Sequence, residues 1–288
     1  MDSDKTSGSL HLKQMATNPR GASTKMAFNS LSQPLGEDLT DFVLLSPPAD
    51  SPSCILGRHC HLEICNAVRH APTLHASLTA DVNGSIWTYT GPAEFGLGQL
   101  PPIFGQVTAW LERAEGVGGV YVVVVAPCLQ AGVLQGEADD GGVVVGTVAY
   151  QGVQPEAATA TIGHVVHSTL SGTRAATEAH FLMLQRLFAL GYRRVAWSCD
   201  EHNTASMNAA ARLGFFAEGT QRHTGVQQRQ EQRVSRSTAY FSILQHEWFG
   251  EGGVGETLAT WLDDKNFEPS GQQRTRLSDL TAAVRARL

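Results

Sequence analysis

The spacing of apolar residues changes along the chain from a strand pattern to a helical one. Val-rich runs at 121–126 and 143–150 predict two neighbouring strands, and 159–167 predicts a third. We expect these three strands to form an antiparallel meander, because they follow one another along the chain. Alternation at 59–64 predicts a further strand, and apolar residues at helical spacing predict a helix at 103–114.

After the third predicted strand, the apolar residues take a helical spacing. Phe181, Leu184 and Phe188 fall on one face of a helix that Gly191 can end. The strand predicted at 195–199 follows, so this helix would connect two parallel strands. Later patterns predict a helix at 203–213 and strands at 215–226 and 240–244. Together these elements predict an α/β (α+β) fold, with a mixed, mostly antiparallel sheet flanked by helices.

Composition divides the chain into three segments. Residues 1–36 are rich in Ser, Thr, Asn and Gly without a sustained apolar period, which predicts disorder. Residues 37–249 contain the predicted strands and helices and would form one domain. Residues 250–288 begin with a Gly/Glu run at 250–256, which predicts a flexible linker. The rest of that segment is expected to be a helical extension that packs on the domain.

Charge and cysteine content narrow the functional classes. The formal net charge of −6 is unlike the basic surface of a general nucleic-acid binder, and no window approaches the ~20 apolar residues of a membrane span. The five cysteines include no CxxC pair, and four histidines near three of them match no metal-ligand spacing. The start MDSDKTSGSL lacks the apolar core of a secretory signal. We expect a cytoplasmic protein without a metal, a nucleic-acid partner or a membrane partner.

A polar turn lies between the third strand and the long helix. Gly172 permits close backbone approach, and Ser171 and Thr173 are suited to helix capping. A helix start presents unpaired N–H groups that bind anions such as phosphate. An ordinary capped helix start fits the same residues, and spacing alone does not separate the two.

Several motifs around this turn carry a family resemblance. The segment 162–222 contains IGH before the turn, ATEA at the start of the helix, LGYRR at its end, and then NTAS and RLGFFAEGT. This segment resembles the acyl-CoA-binding core of the GNAT acetyltransferases and is similar to the branch of the RimJ and RimL ribosomal-protein N-acetyltransferases. LGRHCHLE, IWTYTGP, RSTAYFSILQHEW and WLDDKNFEPSGQQ extend the resemblance to about 230 of the 288 residues.

The resemblance implies acetyl-CoA as the cosubstrate. The pyrophosphate would meet the turn, and the acetyl carbonyl would meet a backbone N–H near 164–166, where the two parallel strands splay apart. The residues implied in binding are Val165, Val166, Ser171, Gly172, Thr173, Arg174, Ala175, Ala176 and Asn203. Arg174 stands where the family usually has a glycine. Its side chain could contact a phosphate, and the replacement makes weakened or non-acetyl CoA binding conceivable.

The resemblance also implies catalytic groups. Ser206 stands where RimL-like enzymes place a hydroxyl near the thiol sulfur, and it would protonate the departing thiolate. Helix capping explains Asn203 and Ser206 equally well. His164 is the candidate base, with His167, His223 and a water relay as alternatives.

The expected function is transfer of an acetyl group from acetyl-CoA to a primary amine by direct attack in a ternary complex. The amine would be a protein α-amino group or a small molecule, and Trp87, Tyr89 and Tyr240 could line its pocket. A catalytically inactive acyl-CoA-binding regulator is the alternative, motivated by Arg174 and by the lack of an obvious base. Glu178 is expected to interact with the helix dipole. A Rossmann or P-loop module is excluded because neither fingerprint follows a suitable strand. The sequence predicts no oligomeric state.

Overall fold

The computed structural model describes the central sheet, the helices that follow its parallel strands and the carboxyl-terminal segment. The described ranges are 26–28, 30–37, 54–66, 68–70, 72, 88–89, 120–125, 142–166, 172–229 and 232–287. The predicted helix at 103–114 and the predicted roles of Trp87, His167 and Ser171 lie outside the described residues.

Strands account for most of the described part of the domain. They are β1 (Met26–Phe28), β2 (Pro34–Glu37), β3 (Cys54–Leu56), β4 (His61–Ile64), β5 (Val120–Val125), β6 (Val143–Gln154), β7 (Thr159–Val166), β8 (Arg194–Asp200), β9 (Phe216–Arg229) and β10 (Gln232–Leu244). One sheet has the order β3-β4-β5-β6-β7-β8-β10-β9. Its neighbours are antiparallel except β7 and β8, which are parallel. The mixed sheet, the meander β5-β6-β7 and the parallel pair confirm the predicted fold.

Two long-range connections of the sheet contain helices after β7 and β8, a short helix follows β10, and the others belong to the carboxyl-terminal segment. The helices are α1 (Arg174–Ala189), α2 (Thr204–Arg212), α3 (Gln245–Phe249), α4 (Val254–Leu262) and α5 (Leu277–Arg285), with a 3₁₀ turn at Asp264–Asn266. The apolar face predicted for α1 is buried in the core, as Leu184 and Phe188 illustrate. Gly191 ends this helix with φ = +93°, where the left-handed region favours glycine. The N–H of Tyr192 then donates to the carbonyl of Leu187 at 3.1 Å.

The segment 250–256 differs from the predicted flexible linker. It forms a tight turn and the start of α4, with Gly253 as a buried N-cap. A Cβ at Gly255 would lie 2.7 Å from the ring of Trp248, and that ring stacks on Phe188 at 4.9 Å between centroids. The glycines therefore serve close packing rather than freedom of the chain. The carboxyl-terminal segment contains α4 and α5, whose residues Leu258 and Val284 are buried.

Two hairpins also differ from the sequence pattern. β1 and β2 form an antiparallel pair within or beside the segment for which the sequence predicts disorder, so that prediction does not hold for 26–28 and 34–36. β9 lies close to the predicted strand at 215–226, whereas β10 begins at Gln232, eight residues before the predicted start at 240. The residues of β10 before 238 are mostly polar and leave no apolar period that could predict a strand. No helix in the described ranges is both long and apolar enough to cross a membrane.

Candidate active site

The parallel strands β7 and β8 separate towards their carboxyl ends. Their ladder ends at Thr161 opposite Ala196, although β7 continues to Val166 along β6 and β8 continues to Asp200 along β10. Each strand follows its outer neighbour beyond that point, so a gap opens between them. Successive residues of a strand direct their backbone N–H and C=O groups to opposite sides, so the backbone groups of alternate residues in 162–166 face the gap. Both α1 and α2 begin at this end.

Residues 172–176, which we call the first turn, end the connection from β7 and include the first three residues of α1. Gly172 has φ = +78°, and no described atom lies within 4 Å of the position that a Cβ would occupy there. Thr173 is the N-cap of α1, and its Oγ1 accepts from the N–H of Ala176 at 3.3 Å. The N–H groups of Arg174 and Ala175 have no acceptor within the helix, because a helix leaves its first donors unpaired. The first turn therefore presents donors beside open space.

The guanidinium of Arg174 is directed away from these donors. Its Nη2 donates to the carbonyl of Leu262 at 2.8 Å and to Oδ1 of Asp264 at 2.6 Å. It also lies 3.8 Å from the ring centroid of Phe267. The hydrogen bond from Arg174 holds the pKa of Asp264 below its ordinary value. In this conformation Arg174 offers an anion its backbone N–H, whereas its side chain holds the carboxyl-terminal extension.

Arg212, at the end of α2, braces the same turn from the other side. Its Nη2 donates to the carbonyl of Gly172 at 3.1 Å, and its Nη1 donates to Oγ1 of Thr177 at 2.9 Å. The guanidinium lies 5.0 Å from the ring centroid of Trp261, and burial lowers its pKa. The first turn of α1 contains no acidic residue. A positive charge and the positive end of a helix dipole thus meet at one place, which favours an anion.

Glu178 has a different role from the one that its position in the sequence suggests. Its carboxylate accepts from the backbone N–H groups of Arg58, His59 and Cys60 at 2.9, 2.6 and 3.0 Å. These three donors belong to the turn between β3 and β4, and a Cβ at Gly57 would lie 2.5 Å from the same carboxylate. Glu178 therefore fixes that turn against α1, and the expectation that it serves mainly the helix dipole is wrong.

Residues 200–206, which we call the second turn, connect the last residue of β8 to the first three residues of α2. Asn203 is the N-cap of α2, and its Oδ1 accepts from the N–H of Ser206 at 3.0 Å. The Oγ of Ser206 accepts from Nε1 of Trp197 at 3.1 Å. Burial raises the pKa of the Cys199 thiol, and a hydrogen bond from the Ser206 hydroxyl opposes that shift. The hydroxyl of Ser206 is thus held at the start of α2 by the indole N–H of Trp197.

His180 connects the two turns through the core. Its Nδ1 donates to the carbonyl of Ala176 at 2.6 Å, and its ring lies 5.4 Å from that of Trp197 between centroids. Burial lowers the pKa of His180 to about 4. The imidazole is therefore neutral near pH 7 and acts as packing between the start of α1 and the indole that donates to Ser206.

The remaining predicted residues lie at different distances from the gap. The backbone of His164, Val165 and Val166 runs along it in β7. His223 lies on β9, one strand beyond β10, where its Nδ1 bonds with Oγ of Ser235 at 2.7 Å. The hydroxyl of Tyr240 donates to Gln221 at 3.2 Å. Among the described residues, no group of three or more His, Cys, Asp or Glu is placed to hold a metal ion.

Sequence reasoning missed three residues of this site. Arg212 contacts a turn 40 residues earlier, which no local spacing could reveal. Asp200 and His202 bond with each other in the second turn, where the motif around Asn203 and Ser206 drew attention away from them. A polar residue directly after the last apolar position of a strand is the signal that could have found Asp200.

Comparison with known proteins agrees with this architecture. A family model described as an acetyltransferase (GNAT) domain matches residues 67–216, which is more than half of the chain. The chain belongs to the GNAT acetyltransferase family. This membership confirms the acetyltransferase class that the motifs around the first turn predict. No protein among the curated sequences matches the chain.

Solved GNAT structures resemble the whole domain. A GCN5-related N-acetyltransferase from Brucella melitensis is 28% identical, with 84% of this chain and 99% of that chain covered and a TM-score of 0.68. A probable GNAT-family acetyltransferase from Chromobacterium violaceum ATCC 12472 is 29% identical, with 81% and 99% covered and a TM-score of 0.59. The microcin C7 self-immunity acetyltransferase MccE, solved with acetyl-CoA and AMP, is 16% identical, with 67% and 97% covered and a TM-score of 0.52. That last likeness concerns the fold alone.

Proposed function

We propose that this protein is an acetyl-CoA-dependent N-acetyltransferase of the RimJ/RimL-like branch that acetylates a primary amine. The observation that carries the proposal is the gap between β7 and β8, with a donor-rich turn at the start of α1 and a hydroxyl at the start of α2. Acyl transfer from a thioester needs these parts: a place for the anionic end of the donor, donors for the oxyanion, and a proton for the thiolate.

The first turn fits the pyrophosphate of acetyl-CoA. Gly172 leaves open space where a side chain would otherwise stand, and the donors of Arg174 and Ala175 border that space. Arg212 adds a positive charge that is held in place by the turn itself. Ser171, Thr173 and Ala176 complete the proposed pyrophosphate site. The solved complex of MccE with acetyl-CoA and AMP, a fold neighbour, is compatible with such a site.

The gap fits the pantetheine arm and the reacting carbonyl. Backbone N–H groups of His164, Val165 or Val166 that face the gap would donate to the carbonyl oxygen and to the oxyanion that forms from it. Asn203, at the start of α2, would hold an amide of the arm in addition to capping the helix. The Ser206 hydroxyl would give its proton to the departing thiolate. That role is supported by the place of this hydroxyl, which lies at the start of α2 and accepts from Nε1 of Trp197 at 3.1 Å.

Direct attack of the amine is favoured over an acyl-enzyme on Cys199. A cysteine acts as a nucleophile in its thiolate form, and burial raises the pKa of Cys199. The thiol is therefore protonated near pH 7 and is a poor nucleophile. The acceptor amine would attack the thioester itself, in a ternary complex with acetyl-CoA. The acceptor is a protein α-amino group or a small molecule, and the protein would act in the cytoplasm.

Incubation of the purified protein with acetyl-CoA and a panel of amines tests this proposal. The panel contains small primary amines and peptides with free amino termini, and release of free thiol is measured together with the mass of the product. We expect a gain of one acetyl group on at least one amine. CoA binding in a calorimeter without turnover on any acceptor would instead support the inactive regulator, and absence of both would contradict either function.

A further inference from the structure

A buried carboxylate holds an exposed imidazole at the carboxyl end of β8. The side chain of Asp200 has no exposed surface, whereas 61% of the His202 side chain is exposed. Oδ1 of Asp200 accepts from the backbone N–H of His202 at 2.9 Å and from its Nδ1 at 3.1 Å. The two residues therefore form a fixed pair with one end in the protein and the other end accessible.

The bond to Nδ1 sets the chemistry of this imidazole. An ionised carboxylate only accepts hydrogen bonds, so Nδ1 of His202 carries the hydrogen in the neutral ring. The lone pair is then on Nε2, at the exposed side of the ring. The turn formed by residues 200–202 requires only the hydrogen bond from the backbone N–H of His202 to the Asp200 carboxylate. The second bond orients the ring in the way that a buried aspartate orients a catalytic histidine in hydrolases.

The pair lies beside the proposed site of the thiol. Ser206 follows the pair in the second turn, where its Oγ accepts from Nε1 of Trp197 at 3.1 Å, and Cys199 precedes Asp200 on β8. Both residues lie beyond the point where the ladder between β7 and β8 ends. Arg236, on β10, faces Asp200 with its Nε 4.0 Å from Oδ2. Among the described residues, Arg236 and Cys199 are thus two ionisable groups near the pair.

We propose that His202 is the base that removes the proton from the acceptor amine, with Asp200 as the positioning residue. This inference rests on the proposed N-acetyltransferase function. The nitrogen forms a bond to the acetyl carbon, and the bond from that carbon to sulfur breaks. Nε2 takes a proton from the nitrogen, and the thiolate takes the proton of the Ser206 hydroxyl. The imidazolium then returns its proton to Ser206 through solvent, so that one hydrogen has moved from nitrogen to sulfur.

The test uses the full chain and the best acceptor from the amine panel. H202N retains an amide donor at the position of Nδ1 and removes the base, whereas H202A leaves space for added imidazole. D200N removes the charge that orients the ring. H246N is the matched control, because the exposed His246 follows β10 at the opposite end of its pairing with β8. Melting temperature and the dissociation constant for acetyl-CoA are measured for every variant.

We expect kcat of H202N to fall by about 10²-fold or more, which is typical for loss of a general base. The dissociation constant for acetyl-CoA should change by less than about two-fold, because the pyrophosphate site is separate. Added imidazole should restore activity to H202A, and the acidic limb of the pH profile of kcat/KM should disappear in H202N. D200N should lose about ten-fold or more, and H246N should match the parent.

The outcomes separate this inference from the proposed function. A parent protein that acetylates no amine contradicts the function, and this inference with it. An active parent with an equally active H202N overturns the inference alone. If H202N loses both its activity and its melting transition, H202A decides whether the histidine is catalytic or structural. Added imidazole restores activity to H202A only if the histidine is catalytic. The inference would also be overturned if the acidic limb of the pH profile of kcat/KM disappeared in H164N and persisted in H202N.

Discussion

The two turns that follow the parallel strands have the same construction and different chemistry. In each, a polar N-cap accepts from the N–H three residues later, at 3.3 Å for Thr173 and 3.0 Å for Asn203. The first turn is contacted by the guanidinium of Arg212, and the first turn of α1 carries no acid. The second contains a buried carboxylate, an imidazole and a hydroxyl that accepts from an indole N–H.

This difference suggests how one fold divides the work of acetyl transfer. A cap satisfies one donor of a helix start in both turns, and the surrounding side chains decide what the remaining groups can do. The unpaired N–H groups and the charge of Arg212 make the first turn an anion site. Asp200, His202 and Ser206 make the second turn suitable for proton transfer. On this account, changes in the first turn alter acetyl-CoA binding, and changes in the second alter the rate of chemistry.

Ser206→Ala gives the largest expected effect and acts on the second turn. Loss of the proton donor should lower kcat by roughly 10²-fold, the lower range for general acid catalysis. The dissociation constant for acetyl-CoA should stay near that of the parent. Steady-state kinetics and calorimetry measure the two quantities, with S278A, an exposed serine on α5, as the matched control. A rise in the dissociation constant with an unchanged kcat would remove the distinction between the turns.

His180 sharpens the comparison because it lies between the turns. Its folded-state pKa of about 4 is below the ordinary value of 6.5, so the unfolded chain binds the proton more tightly. Stability from this residue is fully present above pH 6.5 and is lost as the pH falls towards 4. The free energy of unfolding should fall by about 2 kcal/mol between pH 7 and pH 5 on account of His180.

Urea denaturation at both pH values, in the parent and in H180N, isolates this contribution. H180N keeps an amide that can donate to the carbonyl of Ala176, so the packing between the turns changes little while the titrating group is removed. The parent should lose about 2 kcal/mol more than H180N over this pH interval. Equal losses in the two proteins would mean that His180 titrates normally in the folded state.

Arg212→Gln acts on the first turn. Loss of the charged bonds to Gly172 and Thr177 should raise the dissociation constant for acetyl-CoA by about ten-fold, or about 1.4 kcal/mol. The value of kcat at saturating acetyl-CoA should remain close to that of the parent. R274Q provides the control, because Arg274 is an exposed arginine that pairs with Glu268 in the carboxyl-terminal segment. A fall in kcat without a change in binding would reverse the roles that we assign to the turns.

The paired cap variants T173A and N203A should have the smallest effects on stability. Each removes one side-chain acceptor at a helix start, and each should lower the free energy of unfolding by about 1 kcal/mol. Their kinetic effects should differ, with weaker acetyl-CoA binding as the main change in T173A. Chemical denaturation and binding measurements on both variants give the comparison. Identical binding to acetyl-CoA in both would contradict a special role of the first turn.

Local patterns predicted the elements that position this site. The apolar run of β6, the helical period of α1 and the glycine at 191 each act on their own neighbours in the chain, so the sequence carries them directly. The cap at Asn203 was predictable for the same reason. The family resemblance then assigned the gap between β7 and β8 as the place for the acyl donor.

Contacts between distant residues could not be predicted in this way. Glu178 accepts hydrogen bonds from a turn about 120 residues earlier, and Arg212 reaches back 40 residues to Gly172. The guanidinium of Arg174 turns to Asp264 because the carboxyl-terminal segment packs there. The glycines at 250–256 predict a flexible backbone, but in the structure they allow close packing, as Gly255 does against Trp248. Each of these depends on tertiary packing that has no local signature.

A crystal structure of the protein with bound CoA tests the central claim most directly. The account predicts that the pyrophosphate contacts the backbone N–H groups of residues 172–176, and that the pantetheine enters the gap between β7 and β8. The thiol sulfur should lie within hydrogen-bonding distance of Ser206 Oγ. Density for CoA outside this gap, or a pyrophosphate bound at the second turn, would contradict the division of work between the two turns.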